Sequence, residues 1–105
     1  MTFAEILQTS RPTVISALLA RTAILNRMVK TMSRADDRRR IYAQKVAAIS
    51  RLIVLGGGRV EELLLERGLV TVFLANGRRQ HVPIRRLSSE AKQVLKADFE
   101  KQLTG

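Results

Sequence analysis

Hydrophobic positions recur at intervals of three and four through the first half of the chain, then give way to short β-branched runs after three glycines at 56–58. From Pro12 to Met32, PTVISALLARTAILNRMVKTM, the residues Val14, Leu18, Leu25, Met28 and Met32 share one line, flanked by Ile15, Leu19, Ile24 and Val29. That spacing predicts a helix with a wide apolar face. Ser10 suits its N-cap and Pro12 its first turn, where a missing N–H costs nothing. A narrow strip of Ser16, Ala20, Ala23, Arg27 and Lys30 is left for solvent.

A second helix is predicted in SRADDRRRIYAQKVAAISRLIVL, where Asp36 and Asp37 put negative charge at the positive end of the helix dipole. Its core line is Ile41, Tyr42, Ile49, Leu52 and Ile53, with Arg40, Gln44, Ala47 and Arg51 on another side. Two helices joined by so few residues form an antiparallel hairpin. The three glycines end it, since each costs a continuing helix about 1 kcal/mol and one suits a left-handed cap.

Beyond the glycines, LVTVFLANGRRQHVPI reads as a β-hairpin around Asn76-Gly77, the pair favoured by a two-residue type I′ turn. This loop pairs Ala75 with Arg78, Phe73 with Gln80, Thr71 with Val82 and Leu69 with Ile84. Leu69, Phe73, Val82 and Ile84 would then face the core. The opposite face carries Val70, Val72 and Leu74, so it too needs a cover. The segment RVEELLLERG before the hairpin suits either a short helix or a strand, and its length and Gly68 favour strand. A last helix follows in LSSEAKQVLKADFEKQL, with Ser88 as cap and Ala91, Val94, Leu95, Phe99 and Leu103 at helical spacing. The expected fold is α+β. A helical hairpin (1–55) packs on a small antiparallel sheet of two or three strands with a C-terminal helix (59–105), the two parts making one compact domain.

Charge changes this picture most. With 19 Lys and Arg against 9 Asp and Glu, the 105-residue chain carries a formal +10, a field that draws phosphate backbones, anionic lipid or acidic protein. A chain of this length buries one modest core and has little room for a deep walled pocket. Without cysteine there is no disulfide, thiolate zinc site or thiol nucleophile. MTFAEILQTSRP lacks the pattern of a signal peptide, and no uncharged run reaches the roughly 18 residues of a membrane span. The expectation is a soluble, cytoplasmic protein.

No catalytic motif is present. His81 is the sole histidine and reads as a surface strand residue, since zinc and nucleophile chemistry both need several convergent partners. The glycines are not followed by the Lys-Ser/Thr pair of a phosphate loop. Neither metal nor cofactor is called for, and an enzyme is not expected. The arginines are the candidates: Arg38, Arg39 and Arg40 at the start of the second helix, and Arg78, Arg79, Arg85 and Arg86 around the hairpin. Guanidinium groups match phosphate oxygens in fork geometry. Aromatic residues are only 4% of the chain and Phe73 and Phe99 read as core, which favours duplex or backbone contact over base stacking.

Three stretches resemble known families. FAEILQTSRPTVISALLAR, with Ala4, Val14 and Leu18 at apolar positions and SRPTV opening a second helix, resembles the helix-turn-helix of bacterial repressors, which implies reading of duplex DNA. GLVTVFLANGRRQHVPIRRLSSEAKQVL is similar to the end of the Sla-one homology domain, an SH3-like module, through Val70, Val72, Leu74, Gly77, Arg78, Val82, Pro83, Leu87 and Ser88. That resemblance implies peptide binding. The same segment, through Gly77, Arg78 and Arg79, resembles the lambda-type phage head–tail joining protein, which implies seating in a viral connector.

The expected function is non-enzymatic binding of nucleic acid through its backbone by Arg78, Arg79, Arg85 and Arg86, assisted by Arg38, Arg39 and Arg40. The alternative is an interaction or assembly module, phage-derived or SH3-like, whose arginines meet an acidic protein surface. Its apolar first helix would form a homo-oligomer through Val14, Ile15, Leu18, Leu25 and Val29.

Overall fold

The computed structural model describes the backbone of residues 3–104 and the side chains of residues 11–101. Helix α1 (Phe3–Thr31) and helix α2 (Ala35–Leu55) form a hairpin across three connecting residues. Strands β1 (Gly58–Leu64), β2 (Leu69–Leu74) and β3 (Arg79–Pro83) follow as an antiparallel meander in the order β1-β2-β3, and helix α3 (Ser89–Thr104) ends the chain. This is the α+β layout that the periodicity predicts.

Helix α2 sits at the centre. Ile49, Leu52 and Ile53 are excluded from solvent and pack with Val60, Val70, Val72, Leu74 and Val82 from all three strands. On the other sides of the same cluster, α3 adds Ala91 and Leu95, and α1 adds the half-buried Ile15, Leu18 and Leu19. At about 1.5–3 kcal/mol for each fully buried aliphatic side chain, this one cluster holds both halves of the chain together.

Helix α1 begins earlier than predicted. Its backbone is helical from Phe3, so Ser10 is not its N-cap and Pro12 lies inside it. Pro12 gives up one hydrogen bond to the preceding turn, and the helix continues through it. The turn that a helix-turn-helix needs ahead of SRPTV is absent, because residues 3–31 are one helix. Being eight residues longer than α2, α1 extends about two turns beyond its partner.

Glycines make the α2–β1 junction. Gly56 takes φ +89°, and the N–H groups of Gly56 and Gly57 donate to the carbonyls of Ile53 and Leu52, which closes the helix with a left-handed cap. Strand β1 then starts against the sheet interior at Gly58, where a Cβ would lie 3.0 Å from Val72 Cγ1. The strand reading of 59–67 holds as far as Leu64, and Leu65–Arg67 is a single 3₁₀ turn.

The hairpin corrects the predicted register. Leu74 N–H donates to the Arg78 carbonyl and Gly77 N–H to the Leu74 carbonyl, which makes a three-residue loop, Ala75–Gly77. Only Gly77 has positive φ (+85°), so this is a type I turn closed by a glycine bulge and not the two-residue turn. Pairing moves by one residue: Phe73 lies opposite Arg79, Thr71 opposite His81 and Leu69 opposite Pro83. Because side chains alternate, the slip exchanges the faces. Val70, Val72 and Leu74 form the core with Val82, while Leu69 and Phe73 lie on the outer face and Ile84 is only half-buried in the 3₁₀ turn Ile84–Arg86.

Two devices finish the sheet. The edge of β1 is met by α3, where Asp98 Oδ2 accepts the Val60 N–H at 3.0 Å. Just beyond, β1 bulges between Val60 and Glu62, so that Glu61 is an extra residue with no partner on β2. Helix α3 begins as predicted, with Ser88 Oγ accepting the Ala91 N–H at 3.1 Å and the Ser50 hydroxyl accepting the Ser88 N–H.

The register has a direct test in paired truncations. Leu74→Ala should cost about 2–5 kcal/mol, as for other buried leucines, and Leu69→Ala on the outer face well under half of that. Chemical denaturation measures both. The reverse order would restore the two-residue loop.

Candidate nucleic-acid interface

Helix α1 presents Arg27 and Lys30 in its last turns, where cations also complement the negative end of its dipole. These residues lie beside the first residues of β3. Between them runs a groove of about 820 Å³ lined by Asn26, Arg27, Lys30, Arg78, Arg79 and Gln80, together with Ala23. Four cations and two amides surround it, and no carboxylate belongs to its lining. Turn geometry fixes the hairpin side: Asn76 Oδ1 accepts the Arg78 N–H at 3.0 Å, across the tip of the loop.

The outer edge of β3 also carries backbone donors. The β2–β3 ladder is closed by Leu74 N–H to Arg78 C=O at one end and by Ile84 N–H to Gly68 C=O at the other. Alternation therefore turns the even-numbered residues of β3 toward β2 and leaves the N–H groups of Arg79 and His81 on the open edge.

From Lys30 the basic surface continues to Lys45 on α2. The Lys45 ammonium has its pKa held below the ordinary lysine value, chiefly by partial burial and then by the like charge of Lys30. Lys45 Nζ stands 5.7 Å from the centre of the Tyr42 ring, and the Arg86 guanidinium stands 5.4 Å from the same ring. Tyr42 thus gathers two cations from different elements, which lessens their mutual repulsion. Together, Arg78, Arg79, Arg27, Lys30, Lys45 and Arg86 link the hairpin tip to the turn before α3.

The remaining predicted arginines are placed elsewhere. Arg40 pairs with Asp37 at 3.2 Å, which Arg34 also approaches at 3.9 Å. Arg38 and Arg39 are exposed on the first turns of α2 and do not line the groove. Arg85 is exposed, and its carbonyl accepts from Lys92 Nζ at 3.3 Å. Arg79 has two allegiances, because its Nε also donates to both Glu61 carboxylate oxygens, at 2.7 and 2.9 Å. His81 is exposed, with Nδ1 2.9 Å from the Thr71 hydroxyl.

Arg27, Lys30 and Lys45 lie outside the arginine clusters of the sequence. Their signal is weak: Arg27 and Lys30 lie on the narrow polar strip of α1, and only the fold brings that strip against the hairpin. Of the residues assigned to an oligomer contact, Leu25 is buried within the chain, and Val14, Ile15, Leu18 and Val29 are half-buried on α1. Among the described residues no group of three or more His, Cys, Asp or Glu side chains could hold a metal ion, and no helix is long and apolar enough to cross a membrane.

The pairing of Lys30 with Lys45 predicts a measurable titration. Folding lowers the Lys45 pKa, so across the interval between its folded value and 10.5 the unfolded chain binds more protons. Its contribution to stability therefore rises with pH through that interval. Lys30→Gln removes the like charge and should raise the midpoint, with burial still holding it below 10.5. Side-chain NMR titration follows this directly; an unmoved midpoint would mean that the two ammonium groups are not electrostatic neighbours.

Comparison with protein-family models, curated proteins and solved structures finds no match to this chain.

Proposed function

We propose that this chain is a small non-enzymatic nucleic-acid-binding protein whose groove between α1 and β3 holds a phosphate backbone. The observation that carries the reading is the convergence of Arg27 and Lys30 with Arg78 and Arg79, some fifty residues apart in sequence, around one groove lined by no acid. A net charge of +10 adds a long-range attraction for any polyanion. Arginine forks, a lysine point charge and strand-edge N–H groups all suit phosphate oxygens. Such contacts carry little sequence information, so binding is salt-dependent and weakly specific.

An assembly role is favoured by a different feature, the groove of about 780 Å³ between α2 and the start of α3. Ala43, Ala47 and the 39%-exposed Val54 give it a small-residue, apolar wall, and Arg51 and Glu90 both line it without forming an ion pair with each other. A second copy related by a two-fold axis could set Arg51 of each chain against Glu90 of the other. On this reading Val54→Arg should convert a dimer to an 11.8 kDa monomer in sedimentation at tens of micromolar. A parent chain that is already monomeric removes it.

The main reading is tested by changing Arg27, Lys30, Arg78 and Arg79 together to Gln. The fold should persist, binding to DNA and RNA should weaken with little sequence bias, and the slope of log affinity against log salt should fall by about 0.7–0.9 for each phosphate that is no longer neutralised. Arg38→Gln with Arg39→Gln is the comparison, expected to change the slope far less. Equal slopes for the parent and the four-fold variant would make the groove a solvated surface only.

A further inference from the structure

Arg79 borders a second recess, on the outer face of the sheet. This recess, of about 370 Å³, is lined by Arg59, Glu61, Phe73 and Arg79, with Val60 at its base. Phe73 is half-buried there, opposite Arg59 on one side and Arg79 on the other, and both guanidinium groups lie over its ring, at 5.3 and 5.5 Å from the centre. The two cations differ in how they are held. Arg79 is fixed by the Glu61 carboxylate, whereas Arg59 has no ion-pair partner among the described residues. Glu61 is the extra residue of the β1 bulge, and its side chain keeps about a third of its exposure, so carboxylate lone pairs remain free beyond Arg79.

We propose that this recess takes an unpaired nucleobase, and hence that the nucleic acid bound by the groove is single-stranded. The inference rests on the phosphate reading of the groove, which shares Arg79 with the recess across the single strand β3. A base stacks against Phe73 in the place now occupied by the Arg59 guanidinium, which no carboxylate tethers. Ring-on-ring stacking of a base is stronger than an exposed cation–ring contact. Glu61 accepts hydrogen bonds from the edge of the base. Guanine, with adjacent N1–H and N2–H donors, suits a carboxylate best, and thymine offers only one such donor.

The acids on this face select what can enter. Glu61, paired with Arg79, and the exposed Glu62 offset the two guanidinium groups of this face, so it holds a phosphate less well than the α1 side of β3, where four cations line the groove with no acid. A duplex presents neither a free base face nor a free pairing edge at this position. An aromatic peptide is the other occupant that stacking would admit. It would lack the paired donors that Glu61 rewards.

The test compares a twelve-nucleotide guanine-containing single strand, an oligothymidine of the same length and a duplex, against the parent, Phe73→Leu and Glu61→Gln, with the thermal midpoint checked for each. Phe73→Leu keeps apolar bulk on a half-exposed position and should weaken single-strand binding about tenfold, leaving duplex affinity and the salt slope as in the parent. Glu61→Gln should reduce the ratio of guanine-containing to oligothymidine affinity, whatever it does to overall attraction. Guanosine monophosphate should shift the Phe73 ring protons upfield in the parent.

Unchanged single-strand binding in Phe73→Leu overturns the base site while leaving the phosphate groove in place. If the parent binds neither strand form, the groove reading fails, and an absent ring-proton shift with guanosine monophosphate then removes the base site as well. A response to an aromatic peptide equal to that with the nucleotide would also overturn it.

Discussion

The packing of one face of α2 on one face of the sheet governs the rest of the molecule. Ile49, Leu52 and Ile53 meet valines from every strand, and none of these side chains remains open to water. With α2 fixed there, α1 can lie only on one flank and α3 on the other. The α1 flank is the side of β3, and so the polar strip of α1 comes to face the basic turn. The groove is thus a by-product of where the core places its helices, and its four cations lie outside the buried core.

Electrostatics explains why such a groove can exist in a stable protein. Arg27 and Lys30 complement the dipole of α1, Arg79 is balanced by Glu61, and Arg86 and Lys45 share the Tyr42 ring. Each of these five cations meets a local opposite charge, a dipole or a π-face, so crowding costs less than the count of charges suggests. For Lys45 the ring does not offset everything: its pKa lies below the ordinary lysine value, chiefly through partial burial and then through the like charge of Lys30. A bound phosphate would relieve that repulsion.

Period and punctuation made most of the fold readable. Apolar residues at three and four fixed both hairpin helices, Asp36 and Asp37 marked the start of α2, Gly56 its end, and Ser88 the start of α3. What could not be read was the hairpin register. Asn76-Gly77 is compatible with a two-residue or a three-residue loop, and the strand LVTVFL is apolar on both faces, so the sequence pattern does not choose between them. Packing against α2 does, and it sends Phe73 outward. The same slip hid the outer-face recess, which needs Phe73, Arg79 and Glu61 on one side of the sheet. For the groove, Arg78 and Arg79 were legible as a cluster, whereas Arg27, Lys30 and Lys45 join it only through the tertiary fold.

The order of elements along the chain has a kinetic consequence. Helix α1 packs on its neighbour α2, β1 on β2 and β2 on β3, each across a connection of a few residues, so most of the native structure forms between segments adjacent in sequence. Contacts distant in sequence are made by α2 with the second and third strands and by α3, which travels back past the whole meander to reach α2 and β1. The neighbouring pairings close short loops at little cost in entropy, and the distant ones close longer loops at greater cost. The docking of Ala91 and Leu95 is one of these distant closures, and the bond from Asp98 to Val60 is made with it. A chain whose α3 has not docked leaves the β1 edge open as well as that of β3, so docking of α3 removes one of the two edges at which strand-to-strand aggregation can begin.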